Sequence, residues 1–596
     1  MTRISPNDLP LERGAAAYTV RRGFALESTL LMLVLFGALI GVATAVAAAY
    51  TRTSGIDVKA TRVSYAAEGA GDEIMAQLEA AMDDGIITPG DITSLTTPVV
   101  DGFTVTQDTR IVGAPVNRII TRGAFAGLYA LEQPINVRID AVDATSNRAA
   151  IELGVSVQSV PIFQFGVFYD RDLEINNGPP MTFSGWVHSN RNLYVSSANA
   201  TYLSQVTAAD SVFWSRKDVV LTLSGVRIAN NAGTPVLLDF DSRSHAGASF
   251  VARSNLRFDG KLMSRVSGVR PLRLPLPTGM NARELILPAQ AGDAADVAQV
   301  RMANKADLRI VVNMANPLTD VCTQATFVRG GGRTPLGASC ASIFSVVRNA
   351  FWDGREMRRP DVLELNMAAL RTFVNVSPSD RQVSIIYVEF QGRDTLLAPF
   401  ERDYPALRIS NGEQLPDAPA PSEPGGITIA TNAALYLRGD YNTITWKPAA
   451  LIADVATFLS NGWTDGTSAI FPRPRTFNAS TVFAALLAGN TETPCDARAC
   501  GPQQYGGGLE NFPRFIEDWG GGGGGTPFNY TGSLVSLFTS QQSGRPWGHA
   551  LNGGRAYYVP PVRNWSFEMR FRDPMLLPPG TPRLGSVLQI SYRNVF

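Results

Sequence analysis

The chain has 596 residues, and its 52 Lys+Arg balance 52 Asp+Glu to a formal net charge of zero. Phosphate binding needs a positive excess, so nucleic acid is not an expected partner. Charged residues are 17% of the chain, against about 25% in typical soluble proteins. With 54 Gly, 38 Pro and only 3 His, this describes a turn-rich β protein outside the cytoplasm and argues against a histidine-dependent enzyme.

Residues 1–23 are polar and carry Arg3, Arg13, Arg21 and Arg22. Leu30 to Tyr50 then reads LLMLVLFGALIGVATAVAAAY without a charge, about 32 Å as a helix, enough to cross a bilayer core. The preceding arginines place the chain beyond residue 50 on the outer side. The rival reading is a cleaved secretory signal, with a processing site in the Ala-rich positions 43–49.

The flanking run Arg21-Arg22-Gly23-Phe24-Ala25-Leu26-Glu27-Ser28 resembles a type IV prepilin leader. The resemblance implies cleavage by a prepilin peptidase between Gly23 and Phe24. It also implies a packing role for Glu27, whose carboxylate costs roughly 2.5–3.5 kcal/mol in an apolar helix if unpaired. The Phe24 amine of a neighbouring subunit is the implied partner. The acid is the fourth residue after that cleavage, where the family pattern has the fifth. This rotates it by about 100° and points to a minor component of a filament.

From Ala60 to about Asp84 the pattern predicts an amphipathic helix, with Tyr65, Ala66, Ala70, Ile74, Leu78 and Met82 on one face and a break at Thr53-Ser54-Gly55. Tyr65-Ala66-Ala67-Glu68-Gly69-Ala70 resembles the helix of PilX-like pilus assembly proteins. The period then shortens to that of strands. Phe103–Thr106 alternates, and Ile135–Asp140 and Ala150–Val157 form a hairpin around a turn at 144–147. The expected fold class is α+β, mainly β. Its parts are a leader (1–23), a transmembrane and amphipathic helix (24–85), a pilin-like antiparallel sheet (86–160) and a β-rich extracytoplasmic domain with helical insertions (161–596).

Within that last region, short segments end in Gly, Asn or Ser: Gln164–Tyr169, Met181–Gly185, Trp186–Asn190, Asn192–Val195, Ile427–Asn432, Leu435–Asn442 and Ala449–Ala453. Tight corners of this kind suit a parallel β-helix; a β-sandwich is the alternative. A helix is predicted over Ala291–Ala303 and a short helix within Val362–Phe373, strands over Leu308–Val312 and Val383–Phe390, and a Pro-rich loop over 417–426.

Several stretches in a common order resemble large PilX-like pilus assembly proteins. They include Phe165–Glu174, Trp186–Tyr194, Ala430–Thr443, Ala484–Asn490, Gly507–Phe515, Asn564–Glu568 and Leu577–Pro582. The resemblance implies a minor-pilin or assembly role in the bacterial inner membrane. The body then lies in the periplasm or in a surface pilus, and the partners are the membrane, other pilin-like subunits and assembly proteins. It implies no enzyme activity.

The cysteines form two local pairs, Cys322 with Cys340 and Cys495 with Cys500, and an exported chain favours two disulfides. A zinc site of all four would need knuckle spacing that the 18-residue step lacks. His188 is expected to hydrogen-bond within a rung. Asp170, Asp172 and Glu174 alternate and so share a strand face; the spacing of a calcium loop is absent and solvated charge is expected. Gly520–Gly525 lacks a following Gly-Lys-Ser/Thr and reads as a linker between Trp519 and Thr526. No catalytic residue, metal ligand or cofactor is assigned. An anchored or secreted carbohydrate-active β-helix enzyme and a type II secretion pseudopilus component are the alternatives in function.

Overall fold

The computed structural model describes residues 24–82, 86–219, 221–277, 279–313, 321–324, 326–329, 332–376, 383–391, 404–417, 425–467, 474–494, 505–506, 508–521, 524–543 and 557–595. The leader with Gly23 and most of the Pro-rich loop lie outside them.

Helix α1 (Phe24–Ala81) is continuous over 58 residues. It runs straight through Thr53-Ser54-Gly55, where a break is predicted. A single glycine costs a helix only about 1 kcal/mol. The nearby hydroxyls are satisfied within the helix, Thr51 donating to the Ala47 carbonyl at 2.8 Å and Thr53 to that of Ala49 at 3.0 Å. The distal third of α1 lies on an antiparallel sheet. Val63, Ala66, Ala67, Ala70, Ile74, Leu78 and Met82 are buried against Ile135, Val137, Ile139, Ile151, Leu153, Val155 and Val587. Tyr65, predicted on this face, is 67% exposed; Val63 and Ala67 complete the stripe instead.

The sheet is built from β1 (Phe103–Ile111), β2 (Val116–Ile119), β3 (Tyr129–Asp143) and β4 (Arg148–Pro161). The hairpin β3–β4 pairs Ile139 with Ile151. Its turn is held by the Asp143 carboxylate, which accepts from the backbone N–H groups of Thr145 and Asn147 at 2.8 and 2.9 Å. Beside β4 lies the C-terminal strand Arg583–Val595, paired antiparallel from Arg583↔Pro161 to Val595↔Ala150. The predicted division assigned this strand to the body. The body between Pro161 and Arg583 is therefore an insertion between two neighbouring strands of one sheet.

The inserted body is a stack of parallel strands, β-helix-like as predicted, and not a sandwich of antiparallel sheets. Its main twelve-stranded face runs from Leu308–Asn313 through Ile385–Gln391, Ile427–Thr431, Ala449–Ala453, Ala485–Asn490 and Leu534–Thr539 to β5 (Phe165–Tyr169), then Trp186–Ser189, Val206–Ala208 and Leu262–Met263. All these neighbours are parallel. A hairpin of Thr326–Arg329 and Gly332–Pro335 adds antiparallel strands at one end. The chain enters mid-stack at β5 and winds to Leu262–Met263. It crosses back through residues 264–307 and restarts at the far end with Leu308–Asn313. It then winds inward until Leu534–Thr539 meets β5.

Register explains the stacking. Leu308, Ile386, Ile429, Leu451, Leu486, Leu534, Val167, Val187, Val206 and Leu262 are aligned neighbour to neighbour across the whole face. Every one is buried in a single core. On a second face Leu363, Leu407, Leu435 and Ala456 align likewise. Each aliphatic side chain removes its neighbour's surface from water, at about 25 cal/mol per Å² of apolar area.

The short helix predicted within Val362–Phe373 is Met367–Val376, preceded by the strand Asp361–Asn366; the Asn366 side chain caps it by accepting the Ala369 N–H. The helix predicted over Ala291–Ala303 is Ala295–Val300 and Met302–Lys305. It is interrupted where the buried Arg301 turns extended to pair with Glu284 and Asp293 at 2.6 and 2.8 Å. At the flanks of the predicted Gly520–Gly525 linker the Thr526 N–H donates to the Trp519 carbonyl at 2.7 Å; Gly522 and Gly523 lie outside the described residues.

Two disulfides are expected from the sequence, and one stands among the described residues. Cys322 and Cys340 form it, with Cα atoms 5.4 Å apart. The expected second bond, between Cys495 and Cys500, is not among the described residues, because both of its cysteines lie outside them. The Cys322–Cys340 bond ties Val321–Gln324 to Cys340–Ile343 at the Leu308–Asn313 end of the stack. Replacing both of these cysteines by serine is expected to lower stability by about 3 kcal/mol, the chain-entropy value for a loop of this length; a denaturant titration of the oxidised and variant proteins measures it.

Candidate assembly helix

The exposed part of α1 is the most distinctive surface among the described residues. Every residue from 25 to 62 is exposed, about 57 Å of helix at 1.5 Å per residue. Leu30, Leu31, Leu33, Phe36 and Ile40 are each at least 60% exposed. This is the one helix among the described residues that is long and apolar enough to cross a membrane. Its polar groups are arranged for such a setting. Thr44 donates to the Ile40 carbonyl at 2.8 Å, and Thr29 to that of Ala25, so the hydroxyls need no water.

Phe24 opens the helix and Glu27 stands in its first turn, where the N-terminal end of the dipole favours a negative charge. Glu27 is exposed, and among the described residues no cation of its own chain pairs with it. The structure also exposes a feature that the residue reading passed over. Gly37 and Gly41, four apart, have nothing within 4 Å of the position a Cβ would take. Spacing of this kind lets another helix approach the backbone closely in lipid, and it was visible in the run Gly37-Ala38-Leu39-Ile40-Gly41.

Where α1 meets the sheet, small residues set the distance. A Cβ on Gly71 would lie 3.1 Å from Leu153 Cδ1 and 3.2 Å from Ile151 Cδ1. The C-terminal strand clasps the same helix. Met82 packs over Gly585, and the Tyr592 hydroxyl donates to Glu68 at 3.0 Å.

The other predicted positions are dispersed through the body. His188 is fully buried, with Nδ1 2.7 Å from the Thr207 hydroxyl and Nε2 2.9 Å from Asn190 Oδ1. Phe125, Phe165 and Phe168 surround the ring. Burial lowers its pKa to about 4, so at neutral pH it is an uncharged rung residue, as expected. Asp170, Asp172 and Glu174 do not share one strand, because β5 ends at Tyr169 and the next strand is Leu173–Ile175. Asp170 accepts from Asn190 at 2.7 Å and Asp172 pairs with Lys217 at 3.0 Å. Glu174, expected to be solvated, is 6% exposed.

The two parts of α1 make opposite predictions. Ile74→Ala empties the seat and is expected to cost about 2–4 kcal/mol. Leu26→Ala, at a side chain that is 79% exposed, is expected to change the stability of the detergent-solubilised protein by less than about 0.5 kcal/mol. Thermal or denaturant unfolding of both variants checks the pair.

No family model and no curated protein matches this chain. Among solved structures it is similar to the competence-associated pilin ComZ from Thermus thermophilus, at 13% identity and a TM-score of 0.26, over 90% of this chain and 97% of that one. A TM-score this low carries no argument about role.

Proposed function

We propose that the chain is a structural or assembly component of a type IV pilus-like filament, a minor pilin of the large PilX-like kind. It is anchored by a single pass in the bacterial inner membrane, with its body in the periplasm or carried into a surface pilus. One observation carries this reading: a single continuous helix has an exposed apolar part followed by a part seated on an antiparallel sheet. A soluble protein gains nothing from such a surface, since apolar area left in water is unfavourable. Lipid covers it before assembly, and sister helices cover it afterwards. Glu27, with no ion-pair partner among the described residues, supplies a charge for the Phe24 amine of a neighbour, and Gly37 and Gly41 supply a close-packing face. Prepilin peptidase is the processing partner.

Mass spectrometry of the protein from native membranes is expected to find a mature N-terminus at Phe24, with a methylated amine. A start after Ala47, Ala48 or Ala49 would mean that the helix is a discarded signal and would end this reading. With processing intact, Glu27→Ala is expected to lower incorporation into filaments by about tenfold, equivalent to about 1.4 kcal/mol. Quantitative blotting of sheared filaments against membranes reads this out.

A further inference from the structure

Two lysines among the described residues are buried, Lys217 and Lys447, and their surroundings differ. Lys447 is a satisfied ammonium. Its Nζ donates to the Leu415 and Pro416 carbonyls at 3.3 and 2.5 Å and to the Asp417 carboxylate at 2.7 Å. Lys217 Nζ meets one oxygen among the described residues, Asp172 Oδ2 at 3.0 Å. It otherwise faces the Tyr194 ring, whose centroid is 6.0 Å away. The adjacent Asp218 is engaged by Arg216 at 2.6 Å. An ammonium carries three N–H donors, and a buried ion pair that leaves donors unmet is penalised. Such a site favours the neutral pair of amine and carboxylic acid, reached when one proton crosses the contact.

The fold holds the Asp172 carboxyl in one orientation. Asp172, Asn192 and Ser211 directly precede the strands Leu173–Ile175, Leu193–Val195 and Val212–Phe213. These strands are parallel, with Leu173, Leu193 and Val212 in register, so the three residues stack at one corner of successive rungs. Asp172 Oδ1 accepts the Asn192 backbone N–H at 3.0 Å and its side-chain nitrogen at 3.2 Å. Asn192 Oδ1 in turn accepts the Ser211 N–H at 3.3 Å, which fixes the amide nitrogen on the Asp172 side. One carboxyl oxygen therefore has two fixed donors while the other faces the lysine nitrogen. Paired donors of this kind stabilise the negative charge that develops on oxygen when a nucleophile adds to the carbon. Glu174, also buried, attracts Lys217 electrostatically and so favours a positive charge on the attacking nitrogen.

We propose that Lys217 and Asp172 join spontaneously in an intramolecular isopeptide bond, with the two Asn192 N–H groups as the oxyanion donors. The Lys217 ammonium first passes a proton to Asp172 Oδ2. The Nζ lone pair then forms a bond to Cγ, and the carbonyl pair moves onto Oδ1, where Asn192 holds it. A proton passes from Nζ to Oδ2, the Cγ–Oδ2 bond breaks, and Oδ2 leaves as water while Oδ1 re-forms the carbonyl. Ammonium and carboxylate become one amide and one water, with no oxidant and no other reactant. Burial of both groups at one fixed contact supplies the effective concentration that such a condensation needs. The link ties the corner before Leu173 to the segment that follows Val212–Phe213, two rungs away, and neither reductant nor denaturant opens it. The inference does not rest on the proposed role in a filament.

Peptide mass spectrometry of the full chain, denatured, reduced and cut with trypsin, tests this. Cleavage after Arg171, Arg191, Arg216 and Arg227 isolates Asp172–Arg191 and Lys217–Arg227. They are expected as one branched peptide, about 18 Da lighter than the two together, the mass of one water. Fragmentation is expected to place the link between the Lys217 and Asp172 side chains, and Lys447 is expected unmodified. Lys217→Arg keeps the charge but is expected to give only linear peptides. In Asn192→Ala the link is expected to form at least about tenfold more slowly after synthesis. Linear peptides with intact Lys217 and Asp172 in the wild-type protein, held folded for days at neutral pH, would overturn the proposal, and this result does not depend on any variant folding. A link from Lys217 to Glu174 would overturn it as well, and an unchanged rate in Asn192→Ala would refute the role given to Asn192.

Discussion

The seating of α1 on its sheet is the contact on which the rest of the architecture depends. Val63, Ala67, Ala70, Ile74 and Leu78 are wholly buried against β3, β4 and the C-terminal strand. Alanines at the centre of the stripe, with Gly71 beside Leu153 and Ile151, bring the helix axis close to the strands, so dispersion and burial act over the whole length of contact. The seat fixes where the exposed part of α1 begins. It also joins the two ends of the chain, because Val587 in the last strand shares its core with Val63 in the first helix.

That junction gives the body its topology. An insertion between β4 and the strand after it must leave and return at adjacent points, and this chain does so by winding outward from the middle of a stack and back in from its far end. The ladder from Leu308 to Leu262 crosses the junction of the two arms, at Leu534 and Val167, without interruption. Two distant stretches of sequence therefore share one hydrophobic core.

Much of this was readable from residues, and the exceptions have physical causes. The charge-free run Leu30–Tyr50, the 3.6-residue stripe ending at Met82 and the hairpin around Asp143 depend on local periodicity, and they lie where expected. The parallel stacking was suggested by short strands with Gly and Asn corners. Its register was not, because the ladder has no fixed period: Leu451 follows Ile429 by 22 residues, but Ile386 follows Leu308 by 78. The C-terminal strand alternates like any other, and nothing local indicates that its partner is Gly154 or Val157, more than 400 residues earlier. Glu174 looked like one of three surface acids because alternation was carried across a corner that Tyr169 and Leu173 bracket. The pairing of Cys322 with Cys340 followed from parity and spacing; the same argument for Cys495 and Cys500 concerns positions outside the described residues.

Amide hydrogen exchange on the detergent-solubilised full chain, comparing Leu584–Gln589 with β4 and with Val63–Leu78 of α1, tests most directly whether the first helix and the last strand belong to one cooperative unit. The account predicts slow exchange at a common rate in all three segments. A C-terminal segment that exchanges like free chain while β4 stays protected would contradict it.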